Sequence, residues 1–234
     1  MSYVDVNSTA NNPALNVEIV QTVDVNIVMN NKNSFWVLYA QHTEPKFFKD
    51  AGDGQKAQRD ASLEYVDKHR NALDIGSNVG QWTRPLAKLF QQVICFEPNP
   101  SFRECFDKNI TESNVTLYPY ALSSHEHTAE QGKTDTHLNH VVGDTLPRDG
   151  DISCRALDSF NFTDIDYIKI DVDGFEVPLL EGARQTLITN APVLNIEMKR
   201  RKRPIITRIA TDILNDIGYE YVKTTKSDEI WIKS

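Results

Sequence analysis

Three observations predict an α/β fold built on a parallel sheet. From Asn71 onward, short apolar runs alternate with segments of helical periodicity, which is the pattern of repeated βαβ units. The first run, Leu73-Asp74-Ile75, ends in the turn Gly76-Ser77-Asn78-Val79-Gly80, and the next, Val93-Ile94-Cys95-Phe96, ends in Glu97, seventeen residues after Gly80. A chain of 234 residues, 40% hydrophobic and 25% charged, is long enough to bury one core without staples.

The elements follow in order. Residues 1–16, rich in Asn, Ser and Thr, are expected as a flexible tail, and a single domain is expected over 17–234, with an arm at 17–70 and the core at 71–234. Val17–Met29 alternates apolar and polar side chains like a strand, and Phe35–Tyr39 is expected to pair with it as a hairpin across Asn30-Asn31-Lys32-Asn33. Gly52-Asp53-Gly54 marks a loop and Ala57–His69 a helix. Then come strand Ala72–Ile75, helix Gln81–Phe90, strand Gln92–Phe96, helix Ser101–Asn109 and strand Val115–Tyr120. Ser101 with Glu104 three residues on reads as a capping box. Ser123–Asp151 places His125, His127, His137 and His140 among Gly, Thr and Asp, and is expected as a long functional loop with at most short strands.

Regularity returns with strands at Ile152–Leu157 and Tyr167–Val172 and a helix at Glu176–Thr189, which tolerates Pro178 in its first turn. Strand Val193–Glu197 leads to a helix over Ile205–Ile217, with Ile206, Ile209, Ala210, Ile213, Leu214 and Ile217 as its apolar stripe and Gly218 at its end. Tyr219–Thr224 and Glu229–Lys233 are expected as a closing hairpin across Thr225–Asp228.

Composition removes several function classes. No apolar run approaches the length of about 20 residues that a membrane helix requires. The first thirty residues hold Asp5, Glu18 and Asp24 but neither Lys nor Arg, so no secretory signal is read and a cytoplasmic location is expected. Cys95, Cys105 and Cys154 are an odd set without metal-ligand spacing, which speaks against a disulfide framework and a zinc site. A net charge of −8 disfavours polyanion binding. One basic run, Lys199-Arg200-Arg201-Lys202-Arg203, lacks the interleaved aromatic residues that single-stranded nucleic acid stacks on, and nucleic acid is not expected as a partner. The run is either a solvated loop or a contact for an anionic acceptor such as a phosphorylated sugar.

The glycine turn reads as a nucleotide-cofactor grip: backbone N–H groups at a strand–helix turn approach a ligand, and the next strand delivers a carboxylate to ribose hydroxyls. A dinucleotide fingerprint needs G-x-G-x-x-G, and Asn78 stands where the close-approach glycine belongs, which disfavours a pyrophosphate cofactor such as NAD. S-adenosylmethionine has no pyrophosphate, and Asp74 is placed to attract its ammonium. The plain alternative is that the glycines only turn the chain. A second constellation, Ile168-Lys169-Ile170-Asp171-Val172-Asp173-Gly174-Phe175-Glu176, gathers acids at another strand end, on the rim where open parallel sheets bind ligands.

In order and spacing, Asp74–Gly80, Phe96-Glu97-Pro98-Asn99-Pro100, Ile168–Glu176 and Leu180-Glu181-Gly182-Ala183 resemble the FkbM-type S-adenosylmethionine-dependent methyltransferase family, over about Ala72–Glu197. The resemblance implies a three-layer, Rossmann-like class I methyltransferase fold. Its sheet is seven-stranded and mostly parallel, with an antiparallel C-terminal strand, and here it carries a short N-terminal arm. It also implies methyl transfer to a hydroxyl of a small-molecule or carbohydrate-like acceptor. Family members usually carry Glu where this chain has Asp173, one methylene shorter.

The expected cofactor-binding residues are Asp74, Gly76, Ser77, Asn78, Gly80, Glu97, Pro98, Ala121 and Asp171. Asp171, His140 and Glu197 are the candidates for catalysis, with His137 beside them because imidazole titrates near working pH. Asp171 either positions or deprotonates the acceptor, or binds Lys169 or caps the next helix. Asp173, Glu176 and Lys199 are expected on the acceptor side. The histidines with Asp135 and Asp144 match no familiar metal spacing, and no metal is expected. A noncatalytic binding protein on the same scaffold and an NAD-dependent oxidoreductase are the competing readings, and a homo-oligomer is left open.

Overall fold

A computed structural model describes the backbone of residues 17–22, 25–30, 35–39, 55–134, 137–144 and 152–233, and the side chains over 55–129 and 152–233. The expected tail at 1–16, the turn residues 31–33 and the loop Gly52–Gly54 lie outside the described residues.

The parallel sheet forms where the apolar runs predicted it. β4 (Asn71–Ile75), β5 (Gln92–Phe96), β6 (Val115–Tyr118), β11 (Ile165–Ile170), β12 (Val193–Glu197), β13 (Glu220–Thr225) and β14 (Asp228–Ile232) make one seven-stranded sheet in the order β13-β14-β12-β11-β4-β5-β6. β14 runs antiparallel to both β12 and β13, so the closing hairpin inserts the last strand ahead of its predecessor. Thr225 and Asp228 pair, which shortens the expected four-residue loop to Lys226-Ser227, with Lys226 at φ 60°.

Helices cover both faces, as a parallel sheet requires. On one face α4 (Glu176–Glu181), α5 (Arg184–Asn190) and α6 (Pro204–Asp216) bury Leu179, Leu187, Ala210, Ile213 and Leu214 against Leu73, Ile75, Ile168, Ile170, Leu194 and Ile196. On the other, α1 (Lys56–Leu63), α2 (Thr83–Ala87) and α3 (Pro100–Asn109) flank a second core of Ala72, Val93, Cys95, Tyr167 and Ile230 with Leu86, Phe90 and Phe106. Alternate residues of each central strand therefore serve opposite cores. The expected stripe of α6 holds except at Ile209, which is exposed.

Several boundaries differ from expectation for identifiable reasons. The strand expected over Val17–Met29 is two, β1 (Val17–Thr22) and β2 (Val25–Asn30), which pair with each other before β2 pairs with β3 (Phe35–Tyr39) in an antiparallel sheet. The helix expected over Ala57–His69 stops at Leu63 and the chain turns, burying Val66 in the second core. The helix expected over Gln81–Phe90 narrows to α2, because Pro85 lacks an N–H and the end closes with tighter bonds from Lys88 to Pro85 and Leu89 to Leu86. α3 is capped by Asn99, whose side chain accepts from the Ser101 N–H, with Pro100 at its first position, so Ser101 and Glu104 form no capping box.

Pro119 cannot donate to a ladder, and β6 ends before it; Ala121–Leu122 (β7) then joins a different sheet. That sheet, in the order β7-β10-β8-β9, includes β8 (His127–Thr134), β9 (His137–Asp144) and β10 (Ile152–Arg155). The expected loop Ser123–Asp151 thus carries two eight-residue strands. The helix expected over Glu176–Thr189 breaks at Gly182-Ala183. A Cβ on Gly182 would stand 1.9 Å from the Ser123 carbonyl oxygen, and Asp158 recaps the chain by accepting from the Gln185 and Thr186 N–H groups at 3.0 and 2.7 Å.

Candidate active site

The strand ends decide what faces the rim. β4, β5 and β11 lie side by side, and past their carboxyl ends opens a cavity walled by Gly76 and Asn78, by Glu97, Pro98, Asn99 and Phe102, by Tyr120, Ala121, Leu122 and Ile152, and by Asp171, Val172, Asp173 and Phe175. It is the crevice where open α/β sheets bind ligands.

The turn after β4 is bound inward. The N–H groups of Gly76 and Ser77 both donate to the Phe96 carbonyl, at 3.0 and 3.1 Å, and Gly80 N–H donates to Ser77 O at 2.8 Å. Asn78 N–H donates to Glu97 Oε2 at 2.9 Å, and Val79 N–H to the Asn78 side chain at 2.8 Å. These amides, expected to approach a ligand, each already have a protein acceptor. Asn78 sits at φ 51°, a left-handed conformation that Asn tolerates with its short side chain bonded locally. Gly76 is at φ 75°, and a Cβ there would lie 1.9 Å from the Asp171 carbonyl oxygen, so only glycine lets the two strand ends approach. Gly80 packs on Ile110 and Phe106 instead of the cavity.

Glu97 spends one bond from each carboxylate oxygen on the backbone, Oε2 on Asn78 and Oε1 on the Asn99 N–H at 2.8 Å. Each oxygen keeps a second acceptor position. Burial pushes this carboxyl up to about 7, against the pull of those two N–H groups.

Asp74 is fully buried and does not line the cavity. It accepts from Thr83 Oγ1 at 2.6 Å and pairs with Lys169, whose Nζ is 3.4 Å from Oδ1. The structure thus corrects Asp74 from ammonium ligand to support beneath the turn, and Ser77 is likewise buried behind it. Pro98 and Ala121, expected as cofactor-binding residues, line the cavity.

Asp171, Asp173 and Glu197 come together at the ends of β11 and β12, with carboxylate oxygens within 4.8 Å of one another. Lys199 Nζ sits among them, bonded to Asp173 and 2.6 Å from Glu197 Oε2, and so supplies a cation to this cluster from the chain itself. Burial, then the neighbouring Asp171, pushes the Glu197 carboxyl up to about 7, with Lys199 opposing. Asp228, paired with Glu197 in register, is pushed up to about 6 by burial and then by Asp171. Glu176 departs from expectation: it is 3% exposed, does not line the cavity, and accepts from the Gly174 N–H at 2.9 Å.

His137 and His140 lie on β9, and their side chains fall outside the described residues. The basic run is largely committed. Lys199 and Arg203 meet Asp173, and Arg200 forks onto buried Glu229, leaving Arg201 and Lys202 exposed. Lys169, absent from the expected set, is the buried cation of the site. Its sequence signal is a lysine inside the otherwise apolar run Tyr167-Ile168-Lys169-Ile170, a charge on a strand covered on both faces.

A family model described as the methyltransferase FkbM domain matches residues 74–221. Among solved structures, the chain is similar to a methyltransferase FkbM from Methylobacillus flagellatus KT (TM-score 0.52, 18% identity, 70% of this chain and 43% of that one). It is also similar to a TehB-like SAM-dependent methyltransferase from Corynebacterium glutamicum (TM-score 0.49, 14% identity, 81% of this chain and 93% of that one). The chain thus spans less than half the length of the Methylobacillus protein. No curated protein sequence matches it. Among the described residues, no helix is long and apolar enough to cross a membrane.

Proposed function

The chain belongs to the FkbM methyltransferase family, and on that premise we propose that it transfers a methyl group from S-adenosylmethionine to a hydroxyl of a small-molecule or carbohydrate-like acceptor. The observation that carries the cofactor assignment is the cavity wall, which among the described residues presents the carboxylates of Glu97, Asp171 and Asp173 and neither Lys, Arg nor His. Such a wall suits a cationic sulfonium and opposes a pyrophosphate, whose usual backbone donors are already bonded inward. The residues therefore fit S-adenosylmethionine and disfavour NAD.

Glu97 would take the ribose hydroxyls on its two remaining acceptor positions. Phe102, Tyr120 and Leu122, with Pro98 and Ala121, would enclose the flat base, and Gly76 and Asn78 would border the amino-acid end. Bound there, S-adenosylmethionine supplies an electrophilic methyl, and its transfer to a hydroxyl oxygen leaves the thioether and one proton to be taken up. Asp171, past the end of β11 and on the cavity wall, would orient the acceptor and receive that proton. Glu197 stands beside it as a second carboxyl for the same proton, and Lys199 fixes Glu197 and Asp173 in place. His140 stays a candidate from the adjoining small sheet.

Titration calorimetry with S-adenosylmethionine tests the reading, and absence of binding at millimolar cofactor overturns it. An acceptor screen with methyl-labelled cofactor then identifies the substrate. With that substrate, Asp171→Asn is expected to abolish turnover while cofactor affinity stays within about threefold of wild type. Equal loss of both reassigns Asp171 to cofactor binding.

A further inference from the structure

Lys169 is 4% exposed, on a strand flanked on both sides. Its register partner on β4 is Asp74, so the two side chains rise from neighbouring strands on the same face. Nζ donates to the Gly76 carbonyl at 2.8 Å and stands 3.4 Å from Asp74 Oδ1 and 4.0 Å from Asp171 Oδ2. One ammonium thus bonds the cofactor turn and lies within ion-pair distance of the acid beneath it and of the acid at the acceptor side. Burial alone would drive a lysine towards its neutral form, yet Asp74 and Asp171, with Asp228 beyond them, more than offset that and keep the ammonium charged. A buried cation bonded to a carbonyl and paired with two carboxylates is poorly placed to leave.

We propose that Lys169 is the positioning residue of the site, tying the Gly76 turn to the Asp171 carboxylate so that the cofactor wall and the acceptor wall hold one fixed relation. This rests on the methyltransferase reading for its purpose but not for its geometry. Two further observations agree with it. The Asp171 N–H donates to the Ile75 carbonyl at 3.0 Å, and the Gly76 Cα faces the Asp171 carbonyl so closely that no Cβ fits, so the two segments are in backbone contact just where Lys169 joins them. The ammonium also offsets part of the Asp171 charge from behind, which sets how negative the cavity is toward a sulfonium.

Hydrogen exchange on the full chain, without ligand, tests the tie. Lys169→Met is expected to speed exchange of the amides in 74–80 and 171–174 together, by about tenfold, while β5 and β12 stay protected. Unchanged protection in either segment overturns the proposal. If Lys169→Met does not fold, Asp74→Asn/Lys169→Met, which leaves no unpaired charge beneath the turn, gives the same readout, with Asp74→Asn as control.

Calorimetry separates positioning from mere support. Removing the ammonium is expected to weaken both S-adenosylmethionine and S-adenosylhomocysteine about tenfold. The sulfonium ligand should at the same time gain about threefold relative to the neutral thioether. Equal weakening with an unchanged ratio reduces Lys169 to a packing role. If wild type binds neither compound, the proposed function falls and the exchange experiment alone decides the tie.

Discussion

Glu97 shows how one side chain serves two scales at once. Its carboxylate receives the Asn78 N–H from the preceding turn and the Asn99 N–H from the following one, so it organises the cavity before any ligand arrives. Glu97→Ala is expected to weaken S-adenosylmethionine by about 1–3 kcal/mol in calorimetry, through lost hydrogen bonds to the ribose. Because burial raises this carboxyl to about 7, the wild-type affinity should decline as pH falls below 7, where the protonated group has given up acceptor capacity. A pH profile identical in Glu97→Ala would remove Glu97 from that role. At this scale the sequence revealed the turn and the acids but concealed their orientation. Asp74 and Glu176 look equivalent to Asp171 as carboxylates near strand ends, yet Asp74 lies within β4 beneath the turn and Glu176 opens a helix after the left-handed step at Asp173, φ 51°, and both are buried, whereas Asp171 stands past the end of β11. Lys169 went unassigned because a single lysine in an apolar run reads as easily as an exposed edge position.

Among the elements, those whose pattern depends only on burial were legible. β4, β5 and β12 carry short apolar runs covered on both faces, and their observed ends fall within a residue of the expected ones. Elements set by a single distant contact were not. Pro119 moves the chain from one sheet to another, and β8 and β9 hide behind a polar, His- and Gly-containing composition because they pair chiefly with each other at the edge of a small sheet. The break between α4 and α5 follows from the Ser123 carbonyl approaching Gly182, two segments far apart in sequence. Gly182→Ala tests this directly. Alanine is the better helix former by about 1 kcal/mol, yet here it should destabilise the fold by about 2 kcal/mol or more, because its Cβ meets a carbonyl oxygen at 1.9 Å. Denaturant unfolding that showed a gain in stability would mean that the Ser123 strand end yields freely.

Taken whole, the molecule concentrates buried acid around one end of its sheet. Glu97 and Glu197 are raised to about 7 from 4.5, and Asp228 to about 6 from 3.8. The folded chain therefore holds protons that the unfolded chain has already released. Stability from these groups is full below about 4 and is lost as pH climbs to about 7. Thermal unfolding followed by circular dichroism should show Tm falling between about pH 5 and pH 7.5, and the fall should shrink in Glu197→Gln. A Tm that rises across that window would show that other groups dominate the balance. The same arrangement has a consequence for how the chain is made. β14 follows both β12 and β13 in the chain but lies between them in the sheet. Until residues 228–232 have emerged from the ribosome, β12 has an open edge beside Glu197 and its register partner Asp228 is missing. The half that carries the glycine turn can form before β14 is made, whereas the half that carries the acceptor acids is closed only once β14 has followed β12 and β13.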